Sequence, residues 1–403
     1  MNTSLVAATS ALLFLAPFAG SAGLRSGTLI LSALLLAASA RGMGPELRRF
    51  PRAVLVGFAA WALLAALSLA WSVEPRYTMG ELRAEIFYPA LALGVFFLAA
   101  ARDASRWRIW CAALLAGSAT MFAGLALQEF LPFAVTRHSV LEQRSAWSTH
   151  LVLIAPLLFV LGWPRPWGAE RPPWVQAFAL AVLLVAAWET HNRMTWIAFG
   201  AQLVLAMAVW RATPAMARIR DLRRMTVAAA LVVGVAFAGA LVERNERFFG
   251  AQAPVMTSFE RDLRPKIWST AIEQWRSAPW LGHGFGREIV AGAFMPLTTR
   301  LADHPEIRHA HNVLLDVAIE LGVVGLATFV ALLALLVREY LGFLRRPEVA
   351  VLGVLGLTLV AGFVVKNLTD DFMHRHNALV FWALNGMLLG LGCAARRGTE
   401  PKT

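Results

Sequence analysis

The chain reads as an all-α polytopic membrane protein, and three observations lead there: its composition, the recurrence of long apolar runs, and a one-sided distribution of basic loops. Of 403 residues, 58% are hydrophobic and only 15% charged, a balance that a soluble protein of this size does not keep in solution. A hydrocarbon core roughly 30 Å thick asks for about 20 apolar residues per helix. Such runs recur along nearly the whole sequence, about twelve in number, near residues 4 to 22, 27 to 41, 53 to 72, 85 to 101, 106 to 128, 147 to 163, 174 to 190, 194 to 210, 225 to 243, 312 to 337, 349 to 368 and 376 to 394.

The first run lacks a basic leader and an A-x-A-like cleavage site, so a retained helix is expected there. Short loops rich in Pro, Gly and charge join most of the runs. The exception is residues 244–310, a long segment of mixed polarity, and a segment of that length between membrane helices is usually functional. Within it, residues 264–278 place Ile267, Ala271, Ile272 and Trp275 at helical spacing, which predicts one amphipathic helix near the membrane surface. The organisation expected is helices one to nine over 1–243, one large loop over 244–310, and helices ten to twelve with a tail over 311–403. Cys111 and Cys393 stand far apart and carry no metal-like spacing.

Basic residues decide which way round the chain sits. If twelve helices alternate, one set of short loops holds Arg48, Arg49, Arg52, Arg106, Arg218, Arg220, Arg223, Arg224, Arg345 and Arg346 among others. The other set holds only Arg25, Arg76, Arg83, Arg137, Arg144, Arg193 and Arg375. By the positive-inside rule both termini are cytoplasmic. The formal net charge of +12 is therefore a matter of topology, and no nucleic-acid partner is expected. In that orientation all nine histidines fall on or beside the outer face, which points to proton-transfer chemistry outside.

Arginine is costly at membrane depth, by about 2.5 to 3.5 kcal/mol on insertion scales, so arginines at outer helix ends ask for a partner. Four qualify: Arg83 at the start of helix four, Arg144 before helix six, Arg193 in a tight turn between helices seven and eight, and Arg264 opening the amphipathic helix. Guanidinium forks bind phosphate oxygens bidentately, and several together suit a pyrophosphate. The plainer reading is that each pairs with a nearby Glu81, Glu85, Glu142 or Glu189. The run His309-Ala310-His311-Asn312 through Asp316 puts imidazoles at the membrane edge, where a neutral His311 could take a proton from an attacking sugar hydroxyl. Its H-x-H spacing could also bind zinc, but no third ligand shows a recognisable spacing, and a histidine without a role is a further reading. Asp371, in the last outer loop, could support the histidine as a carboxylate partner.

At these residues the chain resembles the O-antigen ligase and polymerase superfamily. The likeness lies in the helix count, the arginine in a tight turn before helix eight, the large loop ending in Trp268, Ala271, Trp275, Pro279, Gly282 and Gly284, and the following H-N-x-L-L run from His311. It covers roughly residues 140 to 390, and Asn192 departs from the small or hydroxyl residue common before the helix-eight arginine. The resemblance implies a GT-C-like glycosyltransferase of the bacterial inner membrane with a periplasmic active site. It implies transfer of a glycan from undecaprenyl pyrophosphate to lipid A core, with inversion and with no metal or other cofactor required. Arg193, Arg264 and His311 then fall on the family's active positions, with Arg144, Arg83, His309 and Asp371 as binding or supporting residues. An O-antigen polymerase is the nearest alternative; a lipid-linked glycan transporter is one of another class, disfavoured because the halves do not mirror each other.

Overall fold

A computed structural model of the chain describes residues 3–39, 44–130, 144–161, 172–212, 220–249, 262–298, 307–369, 371 and 374–399. Among the described residues all regular structure is helical. In chain order the helices are α1 (Thr3–Leu15), α2 (Ala22–Ala38), α3 (Gly44–Arg48), α4 (Arg52–Leu67), α5 (Pro75–Glu81), α6 (Tyr88–Arg102), α7 (Trp107–Phe130), α8 (Arg144–Leu161) and α9 (Pro173–Glu189). There follow α10 (Arg193–Ala212), α11 (Arg220–Phe249), α12 (Arg264–Ser277), α13 (Ala291–Thr298), α14 (Val313–Leu344), α15 (Ala350–Asn367) and α16 (Arg375–Thr399).

Every apolar run of the sequence coincides with one of these helices. Six segments are long and apolar enough to cross a membrane: Arg52–Ala70, Pro75–Arg102, Arg193–Arg211, Val313–Leu344, Ala350–Asn367 and Arg375–Ala395. Shorter apolar helices accompany them, α1 and α2 among them. The chain is thus a multi-pass, all-helical membrane protein. α1 is only 13 residues long, because Pro17 lies just beyond its end and a proline cannot continue the backbone ladder.

Between membrane helices there is little hydrophobic drive to associate, so packing relies on small residues and polar links. On α16, Gly386 and Gly390 lie four apart against the carbonyl oxygens of Leu93 and Phe97, letting α16 and α6 come into backbone contact. The buried Gln202 amide of α10 donates to the carbonyls of Val152 at 2.9 Å and Thr358 at 3.1 Å, tying α10 to α8 and α15. Tyr340 donates to Asn385 at 2.7 Å, joining α14 to α16.

The feature that positions the site is a break in α14 at Gly322, whose φ is +64°. Around the break the helix exchanges its own bonds for those of the loop after α12. The carbonyls of Ile319 and Glu320 accept from the N–H groups of His283 and Gly284, both at 2.9 Å. In return the N–H groups of Val323 and Val324 donate to the carbonyls of Pro279 and Trp280, at 2.9 and 3.3 Å. Backbone groups cannot be left unpaired at membrane depth, and this exchange accounts for the four that the break would expose. Gly282, at φ +65°, and Gly322 meet nearly backbone to backbone: a Cβ on the first would strike Glu320, and one on the second would strike Trp280.

The far side of the same loop is pinned to the segment between α4 and α5. Trp71 donates its indole N–H to the Leu281 carbonyl, Val73 donates to His283, and the Phe285 N–H donates to Ser68 Oγ. The amphipathic pattern over 264–278 folds as α12, burying Ile267 and Ala271 in a second small core with Ile289, Phe294, Ile307, Ala310 and Ile319. Part of the long segment is therefore a folded cap seated on the upper end of α14.

Candidate functional site

The turn between α9 and α10 is shaped by its own side chains. His191 takes a left-handed φ of +51°, and Asn192 Oδ1 accepts the Met194 N–H at 3.0 Å. Asparagine there acts as a cap for α10, a local reason for the residue by which the sequence departs from the family pattern. Arg193, the first residue of α10, then donates through Nη2 to Asp262 Oδ2 at 2.9 Å. Arg264 at the head of α12 reaches the same oxygen through Nη1 at 3.0 Å, and its backbone N–H caps Asp262 Oδ1, also at 3.0 Å. Burial alone would raise the Asp262 carboxyl. The Arg264 N–H and the two guanidinium charges overcome it and hold the group below its usual value, as an anion.

The histidine pair is built from the start of α14. Asn312 caps the helix by accepting from the N–H groups of Leu314 and Leu315. One turn in, the buried Asp316 accepts the Ala310 N–H at 2.7 Å, and its other oxygen lies 3.4 Å from His309 Nδ1. The His311 N–H donates to His309 Nδ1 at 3.1 Å, which assigns the neutral His309 proton to Nε2. His311 itself sits at φ +51°, half-buried, its ring centroid 4.1 Å from that of His309. Helix cap and carboxylate together fold the chain back so that two imidazoles lie side by side, tilted by 41°, at the head of one helix.

Arginines and histidines meet at the connection between α15 and α16. Arg264 Nε donates to the Thr369 carbonyl at 2.9 Å, and Arg287 Nη1 donates to the carbonyl of Asp371. Two residues of chain span at most about 7 Å, so this short stretch links the cation pair to the histidine pair. The buried Asp371 carboxylate has its oxygen within 4.8 Å of both His309 and Asp316 donor atoms.

Beside it opens a cleft of about 550 Å³, its open mouth included, lined by Arg287, Asp371, His374, Glu81, Glu85 and Glu320 with the aromatic rings of Trp61, Phe285, Phe329 and Trp382. A π-helical turn over Leu82–Phe87 interrupts the α5 to α6 helix where Glu81 and Glu85 face it; such turns are frequent at functional sites. Arg375 pairs with Glu81 at 3.0 Å, and His374 Nδ1 lies 3.3 Å from Glu85. Burial first, then the charges of Arg287 and Arg375, hold the His374 pKa well below its usual value, so this ring is neutral.

Arg193, Arg264, His309, His311 and Asp371 are thus brought to one region. Arg83 is exposed and is not among the residues lining the cleft. Arg144 opens α8, but its side chain lies outside the described residues. Glu81 and Glu85, read in sequence as local partners for outer arginines, pair across the fold with the His374–Arg375 corner instead. His150, counted with the outer histidines, is a buried helix residue bonded to Ser118 Oγ at 2.8 Å. Two groups have donor atoms close enough for a metal ion, His309 with Asp316 and Asp371, and Glu81 with Glu85 and His374; in the first, Asp316 already accepts a backbone N–H. Sequence reasoning missed Asp262, Arg287 and Glu320. Arg287 had one signal: it follows Gly282, Gly284 and Gly286 at alternate positions, and all three take positive φ.

Residues 178–330 match the family model described as O-Antigen ligase (Wzy_C). The chain is also 27% identical over 295 residues to a protein of Pseudomonas aeruginosa named O-antigen ligase, a stretch that is 70% of this chain and 63% of the relative. The chain therefore spans somewhat less than two thirds of the length of that relative. Residues 178–330 are thus similar to the O-antigen ligase family, the family that the motifs of this chain resemble.

Proposed function

We propose that the chain is an inverting glycosyltransferase that moves a glycan from undecaprenyl pyrophosphate onto the lipid A core at the periplasmic face of the bacterial inner membrane. About twelve spanning helices, cytoplasmic termini and a single large periplasmic segment complete this reading. The observation that carries it is the convergence of Arg193 and Arg264 on one carboxylate, linked through Thr369 and Asp371 to the adjoining His309 and His311.

In the step itself, an acceptor hydroxyl oxygen attacks the anomeric carbon while the bond from that carbon to the pyrophosphate oxygen breaks. The bonding pair leaves with undecaprenyl pyrophosphate, and the hydroxyl proton passes to His311. Charge grows on the leaving oxygen, and guanidinium groups fixed in advance stabilise it without reorganising. Arg193 and Arg264 are already gathered about an anion, and Arg287 at the neighbouring cleft joins them as a third cation. No step calls for a metal or a nucleotide.

The test is complementation of a ligase-deficient strain. Restored lipopolysaccharide ladders with the wild type, and accumulating lipid-linked polymer with His311→Ala, support the reading. Ladders fully restored by His311→Ala overturn it, and a wild type that only lengthens single-repeat products points to polymerase.

A further inference from the structure

The cleft contains acceptor groups that the leaving pyrophosphate does not use. Glu81 and Glu320 are 3% and 6% exposed, and both line it together with Trp61 and Trp382. Glu81 Oε1 is held by Arg375 at 3.0 Å. Glu81 Oε2 is buried with no hydrogen-bond partner; His374 Nε2 stands 3.9 Å away, beyond hydrogen-bonding reach. A buried acceptor left unmade is costly, and an entering O–H donor would relieve that cost.

Aromatic rings beside carboxyl acceptors suit a sugar ring, whose C–H face packs on aromatic surface while its hydroxyls donate to the carboxyl oxygens. Charge narrows the choice. The cleft is lined by Glu81, Glu85, Glu320 and Asp371, with Arg287 its one cation among the described lining residues. A ligand bearing its own carboxylate or phosphate would have to shed its hydration in a poorly solvated space where Arg287 already donates to the Asp371 carbonyl. We infer that this cleft is the acceptor-sugar subsite and admits a neutral, hydroxyl-rich ring while rejecting anionic sugars. The inference rests on the glycosyl-transfer reading and assigns the donor to the arginines and the acceptor to the carboxylates.

The test measures binding without any donor. The full chain in lipid nanodiscs, free of glycoside detergent, is titrated by saturation-transfer NMR with methyl glucoside, methyl glucuronide and glucose 6-phosphate. Methyl glucoside is expected to bind, and the two anionic sugars at least tenfold more weakly. Glu81→Gln and, separately, Glu320→Gln should each narrow that ratio to threefold or less. Absent glucoside binding, or anionic sugars binding as tightly as glucoside, overturns the subsite. So does an unchanged ratio in both variants when their thermal midpoints show them folded. Because no transfer is measured, that failure leaves the ligase reading standing, whereas failed complementation alongside selective glucoside binding removes the ligase reading and keeps the sugar site.

Discussion

Arg193 and Arg264, one at the head of a membrane helix and the other at the head of the cap helix, donate to the same oxygen of Asp262 at 2.9 and 3.0 Å. Two guanidinium groups that would otherwise repel are held together by one anion. The spacing that suits a carboxylate also suits a diphosphate oxygen, which is why the proposed reaction gives the pair to its donor end.

That arrangement sets a pH dependence. Asp262 has its folded pKa below the ordinary carboxyl value of 3.8, so its stabilising contribution is fully present above that value and is lost as the pH falls through the folded pKa. Asp262→Asn should melt below wild type at pH 7, and the gap should close as the pH falls through the folded pKa. Thermal midpoints of the purified proteins across pH 2.5 to 7 check this; a constant gap contradicts it.

Asp316 is expected to matter for the histidine turn. It is 2% exposed and accepts the Ala310 N–H at 2.7 Å. Asp316→Ala strands that N–H, a loss of about 1 to 3 kcal/mol, and frees His311 from its left-handed turn. Transfer should fall at least tenfold. Asp316→Asn, which keeps an acceptor oxygen, should recover most of the thermal midpoint.

Arg287 and Arg83 offer a contrast within one residue type. Arg287 lines the cleft and grips the Asp371 carbonyl, whereas Arg83 is exposed. Arg287→Ala should lower transfer at least tenfold more than Arg83→Ala does, measured as ladder intensity at matched protein level. Equal effects of the two contradict the role given to Arg287.

Gly322→Ala tests the break in α14. An alanine there must take φ +64° and push against Trp280, a combined cost of roughly 1 to 3 kcal/mol or more. The melting midpoint should fall by several degrees. An equal or higher midpoint would show that the loop and helix are not interlocked as described.

Hydropathy alone made the helices legible, because each apolar run needs only length and composition to declare itself. Arg193, Arg264 and His311 were legible too, since each marks a turn or a helix end where a costly or titratable group is conspicuous. Asp262 was not: it pairs with Arg193 across 69 positions, and no periodicity reports such a contact. Glu320 reads in sequence as a polar interruption of an apolar helix. Its place in the cleft depends on the break two residues later, which nothing but the backbone geometry discloses.

The interlock at Gly322 has a mechanical corollary. Since residues 279–284 complete the hydrogen-bond ladder of a transmembrane helix, that stretch cannot lift away as a lid without tearing the helix open inside the lipid. Whatever movement accompanies turnover has therefore to be sought in other parts of the molecule.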